Sequence, residues 1–163
     1  MKTSHFSKDI QDFLELLYRH RVKYVIVGGE AVIFYGCARL TGDVDFFFGT
    51  FEENAQCLYD TLNEFWGGDI PGVDSFEELM EPGIILQFGV PPNRIDLVNH
   101  IDGVTFRESW TGKKIISMNI SGRSIPVYFI GLDQLIANKE AIGRPKDLED
   151  LKYLRKTKED NPS

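Results

Sequence analysis

VGGEAVIFYGCARLTGDVDFFF, residues 27–48, holds the pattern on which the fold turns. Ahead of it, the apolar, β-branched run KYVIV (23–27) reads as a buried strand, stopped by Gly28 and Gly29. Residues 30–35 follow as a short helix and Asp43–Phe48 as a second strand. Side chains alternate between the faces of a strand, so Asp43 and Asp45 point one way while Val44 and Phe46 enter the opposite layer. Two carboxylates then share one small patch. Like charges held that close raise each other's pKa and cost stability unless a cation sits between them.

Working outward, Phe6, Ile10, Phe13, Leu14 and Leu17 recur at helical spacing opposite Lys8, Asp9, Asp12 and Glu15, which makes the opening segment an amphipathic helix. Residues 51–66 form another, and the glycine-rich stretch 67–83 is loop, broken by a short turn at Phe76–Met80. Residues 84–88 and Arg94–Val98 read as strands joined by GVPPN (89–93), since paired prolines cannot sit inside a central ladder. Lys114–Ile120 and 124–130 are two more strands. Leu132–Ile142 and 146–155 close the chain as helices divided by Gly143, Arg144 and Pro145. The expectation is an α+β fold, a mixed β-sheet with helices packed against it, in one domain over 1–157 with a flexible tail at 158–163.

Composition fits that reading. A chain of 163 residues is long enough for one proper core and short for two. Hydrophobic residues at 42% and charged residues at 26% point to neither a disordered chain nor a membrane protein. No apolar run approaches the roughly 20 residues that span a bilayer, and MKTSHFSKDI lacks an apolar signal region, so a cytoplasmic location is expected. Cys37 and Cys57 have neither disulfide nor zinc spacing and read as free core thiols. His5, His20 and His100 show no ligand spacing, and Tyr35, Trp66 and Trp110 read as core aromatics. The net charge of −7 argues against broad attraction to a polyanion. The cations that gather from Lys139 onward are either a local positive surface or a solvated helix face.

Around the acidic pair, Gly28 and Gly29 stand where a strand gives way to a helix, and backbone N–H groups free of side-chain bulk can close on phosphate there. Arg39 and Thr41 add a cation and a hydroxyl in the loop leading to the acids. Downstream, RIDLV (94–98) places Asp96 in an otherwise apolar strand, where a lone charge needs a partner. Two partners are open: Arg94 as a structural pair, or a metal ion shared with Asp43 and Asp45. A hard divalent ion, Mg2+ before Mn2+, suits such carboxylates.

The order of these residues resembles the DNA polymerase β-type nucleotidyltransferase superfamily, with Gly28, Gly29, Asp43, Asp45 and Asp96 on the motif positions. Gly29 departs from the serine common there and removes one hydroxyl contact. Within that superfamily, LTGDVDFFF, RIDLVNHIDGVTF and NKEAIGRPKDLEDL are similar to small bacterial AbiEii-like nucleotidyltransferases, over about 23–154. The resemblance implies that Asp43, Asp45 and Asp96 hold metal and catalyse, while Gly28, Gly29, Arg39, Thr41 and Lys139 bind a nucleoside triphosphate. Arg144, Lys146, Asp147 and Asp150 would follow Lys139 in the same element. It implies transfer of a nucleoside monophosphate to an acceptor hydroxyl on RNA, protein or a small molecule, with release of pyrophosphate. The alternative is a non-catalytic nucleotide- or partner-binding protein on the same fold, or a component of a toxin–antitoxin module.

Overall fold

The computed structural model describes residues 6–161; His5 and residues 162–163 of the expected tail lie outside them. In chain order the elements are α1 (Lys8–Arg19), β1 (Tyr24–Val27), α2 (Gly28–Phe34), β2 (Asp43–Phe48) and α3 (Glu52–Phe65), then a 3-10 turn at Phe76–Met80. β3 (Ile85–Phe88), β4 (Arg94–Val98), α4 (Phe106–Thr111), β5 (Lys114–Ile120), β6 (Arg123–Phe129), α5 (Leu132–Ile142) and α6 (Pro145–Asp160) complete the chain. Local chemistry accounts for the boundaries. The Ser7 hydroxyl accepts the Ile10 N–H at 3.3 Å and caps α1. Ser121 and Gly122, at φ 51° and 77°, form the tight link between β5 and β6. Gly143 ends α5 in the left-handed conformation, and Pro145 opens α6.

The strands form one mixed sheet in the order β3-β4-β2-β1-β6-β5. β2 lies antiparallel to β1 and parallel to β4, so the acid-bearing strand has a neighbour on each side. One face buries Val44, Phe46 and Phe48 of β2 with Ile95 and Leu97 of β4 against Phe13, Leu14 and Leu17 of α1 and Leu58 and Leu62 of α3. The other face is half core and half cleft. Val25, Val27 and Phe47 pack there with Ala31 and Val32 of α2, Leu135 of α5 and Leu154 of α6.

Two segments differ from the sequence reading. α4, six residues long, was not expected; it is started by Thr105, whose hydroxyl accepts the Glu108 N–H at 3.1 Å while the Glu108 carboxylate accepts the Thr105 N–H at 2.9 Å. α6 runs to Asp160, past the expected start of a tail at Lys158, whose ammonium lies 2.8 Å from an Asp133 carboxylate oxygen on α5. Among the described residues no helix is long and apolar enough to cross a membrane.

Asn54, 2% exposed, ties the start of β1 to the end of β2. Its carbonyl accepts the Lys23 N–H at 2.7 Å, and its amide donates to the carbonyls of Lys23 at 3.0 Å and Gly49 at 2.8 Å. Removing it takes a hydrogen bond from three backbone groups, of which the Lys23 carbonyl keeps the Gly49 N–H. Asn54→Ala is expected to lower unfolding free energy by about 2–3 kcal/mol in urea titration; a loss under about 0.5 kcal/mol would contradict this role.

Candidate active site

The parallel pairing of β2 with β4 sets Asp43 opposite Arg94 and Asp45 opposite Asp96. Alternation then puts all four side chains on the cleft face, and oxygens of Asp43, Asp45 and Asp96 lie within 4.8 Å of one another. Of the two partners left open for Asp96, Arg94 is present as an ion pair. Arg94 Nε donates to Asp96 Oδ1 at 2.8 Å, and its Nη2 donates to Asp43 Oδ2 at 2.9 Å and Asp96 Oδ2 at 3.1 Å. Two carboxylates therefore share one guanidinium, and among the described residues Asp45 has no cation partner.

The electrostatics follow. Burial, then the charges of Asp43 and Asp96, push the Asp45 carboxyl up to about 8. Burial also raises Asp96, with the Arg94 hydrogen bonds opposing. For Asp43, burial works against ionisation, but hydrogen bonds from Asp96, Asp45, Arg94 and Thr41 outweigh it and hold its carboxyl below the ordinary value. Excess negative charge carried by oxygen donors alone, close enough to share one ion, fits a hard divalent cation.

Glycine is required behind these acids. Gly28 turns from β1 into α2 at φ +66°, and a Cβ there would collide with Asp45 Oδ2. A Cβ on Gly29 would come 2.8 Å from the Thr41 hydroxyl. That hydroxyl donates toward Asp43 Oδ1 at 3.1 Å, so Thr41 braces the first acid.

The cleft, about 410 Å³, runs from Gly28 and the three acids past Gln87 and His100 to Lys139 and Arg144. Lys139 is 3% exposed, and its ammonium is 3.1 Å from both Asp147 Oδ1 and Asp150 Oδ2. Burial disfavours the charge on Asp147, yet hydrogen bonds from Arg144 and Lys139 hold its carboxyl at about 2. Arg39 does not line the cleft; its guanidinium meets Asp150 at 2.5 Å. Of the expected site residues, Gly28, Asp43, Asp45, Asp96 and Lys139 thus share the cleft, while Gly29, Thr41 and Arg39 support it from behind.

The sequence reading missed two residues here. Gln87 pairs with Asp96 across β3 and β4, and its amide lies 3.4 Å from Asp96 Oδ2. His100 stands at the rim, 3.4 Å from an Asp102 carboxylate oxygen. Strand alternation opposite Asp96 was a usable signal for Gln87; His100 lies in a loop and had none.

Comparison with known proteins agrees with this fold. The profile of a family described as "Nucleotidyltransferase of unknown function (DUF6036)" matches residues 5–156. The fold is similar to the crystal structure of an antigenic nucleotidyltransferase-like protein from Paracoccidioides brasiliensis, with a TM-score of 0.53 and 18% identity over 90% of this chain and 74% of that one. No curated protein matches the sequence.

Two outcomes are expected from the site's geometry. The Asp45 carboxyl titrates near 8 in the fold against an ordinary 3.8, so the folded state holds the extra proton between those values. Stability of the metal-free protein should therefore fall as pH rises through that window, and Asp45→Asn should flatten the fall in urea unfolding with EDTA. An unchanged slope would show that Asp45 is not the strained group. Gly28→Ala, forced into a left-handed conformation, should lose about 2 kcal/mol of stability and weaken Mn2+ binding measured by electron paramagnetic resonance.

Proposed function

This chain belongs to the family of nucleotidyltransferases of unknown function that its residues 5–156 match, and on that premise we propose that it moves a nucleoside monophosphate from a triphosphate to an acceptor hydroxyl. The observation that carries the reading is the meeting of Asp43, Asp45 and Asp96 at the head of one cleft, directly beneath Gly28. Those three carboxylates would hold Mg2+ or Mn2+, which when bound supplies neutralising charge for the phosphates.

The chain's own groups do the rest. Backbone N–H groups at Gly28 and Gly29 receive phosphate oxygens where no side chain blocks approach. Asp96, on the β3 side of the cleft and steadied by Arg94 and Gln87, takes the proton of the acceptor hydroxyl. The hydroxyl oxygen bonds to the α-phosphorus, the bond from that phosphorus to the bridging oxygen breaks, and pyrophosphate leaves. Lys139, fixed between Asp147 and Asp150, presents positive potential at the opposite wall, and Arg144 does so nearer solvent, its side chain 61% exposed. The finer likeness to AbiEii-like transferases, with its toxin–antitoxin association, rests on LTGDVDFFF, RIDLVNHIDGVTF and NKEAIGRPKDLEDL together, the last of which holds the Lys139–Asp150 cluster.

Incubation with Mg2+ and each α-labelled nucleoside triphosphate in cell extract should move label to an acceptor. Asp45→Asn, which keeps the fold, should cut that transfer at least 100-fold, about the loss expected when a transition-state electrostatic contact goes. Full transfer by Asp45→Asn sinks the mechanism. Metal-dependent nucleotide binding with no labelled product from any triphosphate would favour the binding-protein alternative.

A further inference from the structure

A second cavity, about 440 Å³, opens beyond the other end of β1 and β2. Its floor is aromatic, made of Phe51, Phe106 and Trp110, and Lys23 and Arg107 stand at its rim. Phe51 is 45% exposed, so its ring is offered to a ligand. The Lys23 ammonium lies 5.5 Å from the Phe51 ring centre and 5.8 Å from that of Trp110, and the Lys113 ammonium lies 3.7 Å from Trp110.

The charge arrangement here is unlike that of the catalytic cleft. Among the described residues none of Lys23, Arg107 and Lys113 forms an ion pair, whereas Arg39, Arg94, Lys139 and Arg144 all do. What sets this place apart is that three cations without acid partners among the described residues gather around one cluster of rings, with Phe51 exposed among them. They suit a ligand that combines negative charge with planar rings. An acidic peptide would answer the cations and leave the rings bare; an apolar peptide would do the reverse.

The cavity is also joined to the cleft. Phe106 packs edge-on against Phe47 at 5.4 Å, and Phe47 lies two residues beyond Asp45 on the same face of β2. One connected segment supplies His100 to the cleft and Phe106 to the cavity. Gly49, at the cavity, is four residues from Asp45, roughly 13 Å along an extended strand. A few nucleotides cover that span.

The geometry points to a docking site for a single-stranded polynucleotide, with an unpaired base stacked on Phe51 or Phe106 and its phosphates met by Lys23 and Arg107. Resting on the transferase reading, this makes the acceptor a nucleic acid anchored at one end of β2 with its hydroxyl at the other. The small footprint agrees with the acidic chain, which offers a polyanion no broad basic face.

The test is binding of a ten-nucleotide, mixed-sequence, single-stranded RNA in EDTA at low salt, read by Trp110 fluorescence in a Trp66→Phe background. Stacking should quench the signal, added salt should weaken it, and Lys23→Glu, Arg107→Glu and Phe51→Ala should each raise Kd about tenfold while circular dichroism shows an intact fold. RNA that fails to bind, variants that bind it unchanged, or equal competition by a polyglutamate peptide or a lone nucleoside monophosphate would overturn the proposal. RNA binding that follows these expectations while no transfer is found anywhere would count against the transferase reading and leave the docking site standing.

Discussion

The pleat of β2 is the constraint on which everything else rests. Its residues alternate between a face of Val44, Phe46 and Phe48, sealed under α1 and α3, and a face of Asp43, Asp45 and Phe47, shared by cleft and core. Burying each phenylalanine stabilises the fold by about 2–3 kcal/mol, enough to hold the carboxylates beside each other against their repulsion. A register slip of one residue would put both acids into the aromatic core and the rings into water. With β4 and β1 hydrogen-bonded on either side, β2 has no free edge along which to slip. The apolar core therefore sets the geometry of the acids.

The two walls of the cleft carry opposite charge imbalances. On the sheet, the three clustered carboxylates of Asp43, Asp45 and Asp96 outnumber Arg94, which pairs with the first and the last of them. On the helical side, Lys139 and Arg144 line the cleft, while their acid partners Asp147 and Asp150 stand behind it. A ligand that brings cations to the first wall and anionic oxygens to the second complements both, and a metal-bound triphosphate has that polarity. The buried ion cluster is costly to break from one side: deleting a single partner strands a charge in a site where Asp147 is fully buried.

Much of this was legible in the sequence because its strongest signals are local. The DVDFFF alternation, the glycine pair and the single acid in RIDLV each express a strand or turn rule acting over a few residues. The bounds of β2, β4, β5 and α5 came out as read. α4 did not, because six residues are too few to show a helical period, and its one clear sign was the Thr105 to Glu108 cap. The double role of Arg94 was hidden for another reason. Its neighbour Asp96 is two residues away, but Asp43 is 51 residues away and is brought near only by sheet order. Likewise, the expected phosphate ligands Lys139 and Arg39 turned out to be joined through Asp150, a meeting of the loop before β2 with the last helix.

That meeting spans 111 residues of chain. It makes the front of the cleft and the C-terminal hairpin a single heritable unit. The acid-bearing strands could not be carried to another protein by recombination without α6, because the loop that delivers Thr41 to Asp43 would arrive without its anchor. Lineages that shorten the C-terminus must also rebuild the approach to β2, so drift at positions 39 and 150 is expected to be coupled even though neither side chain lines the cleft.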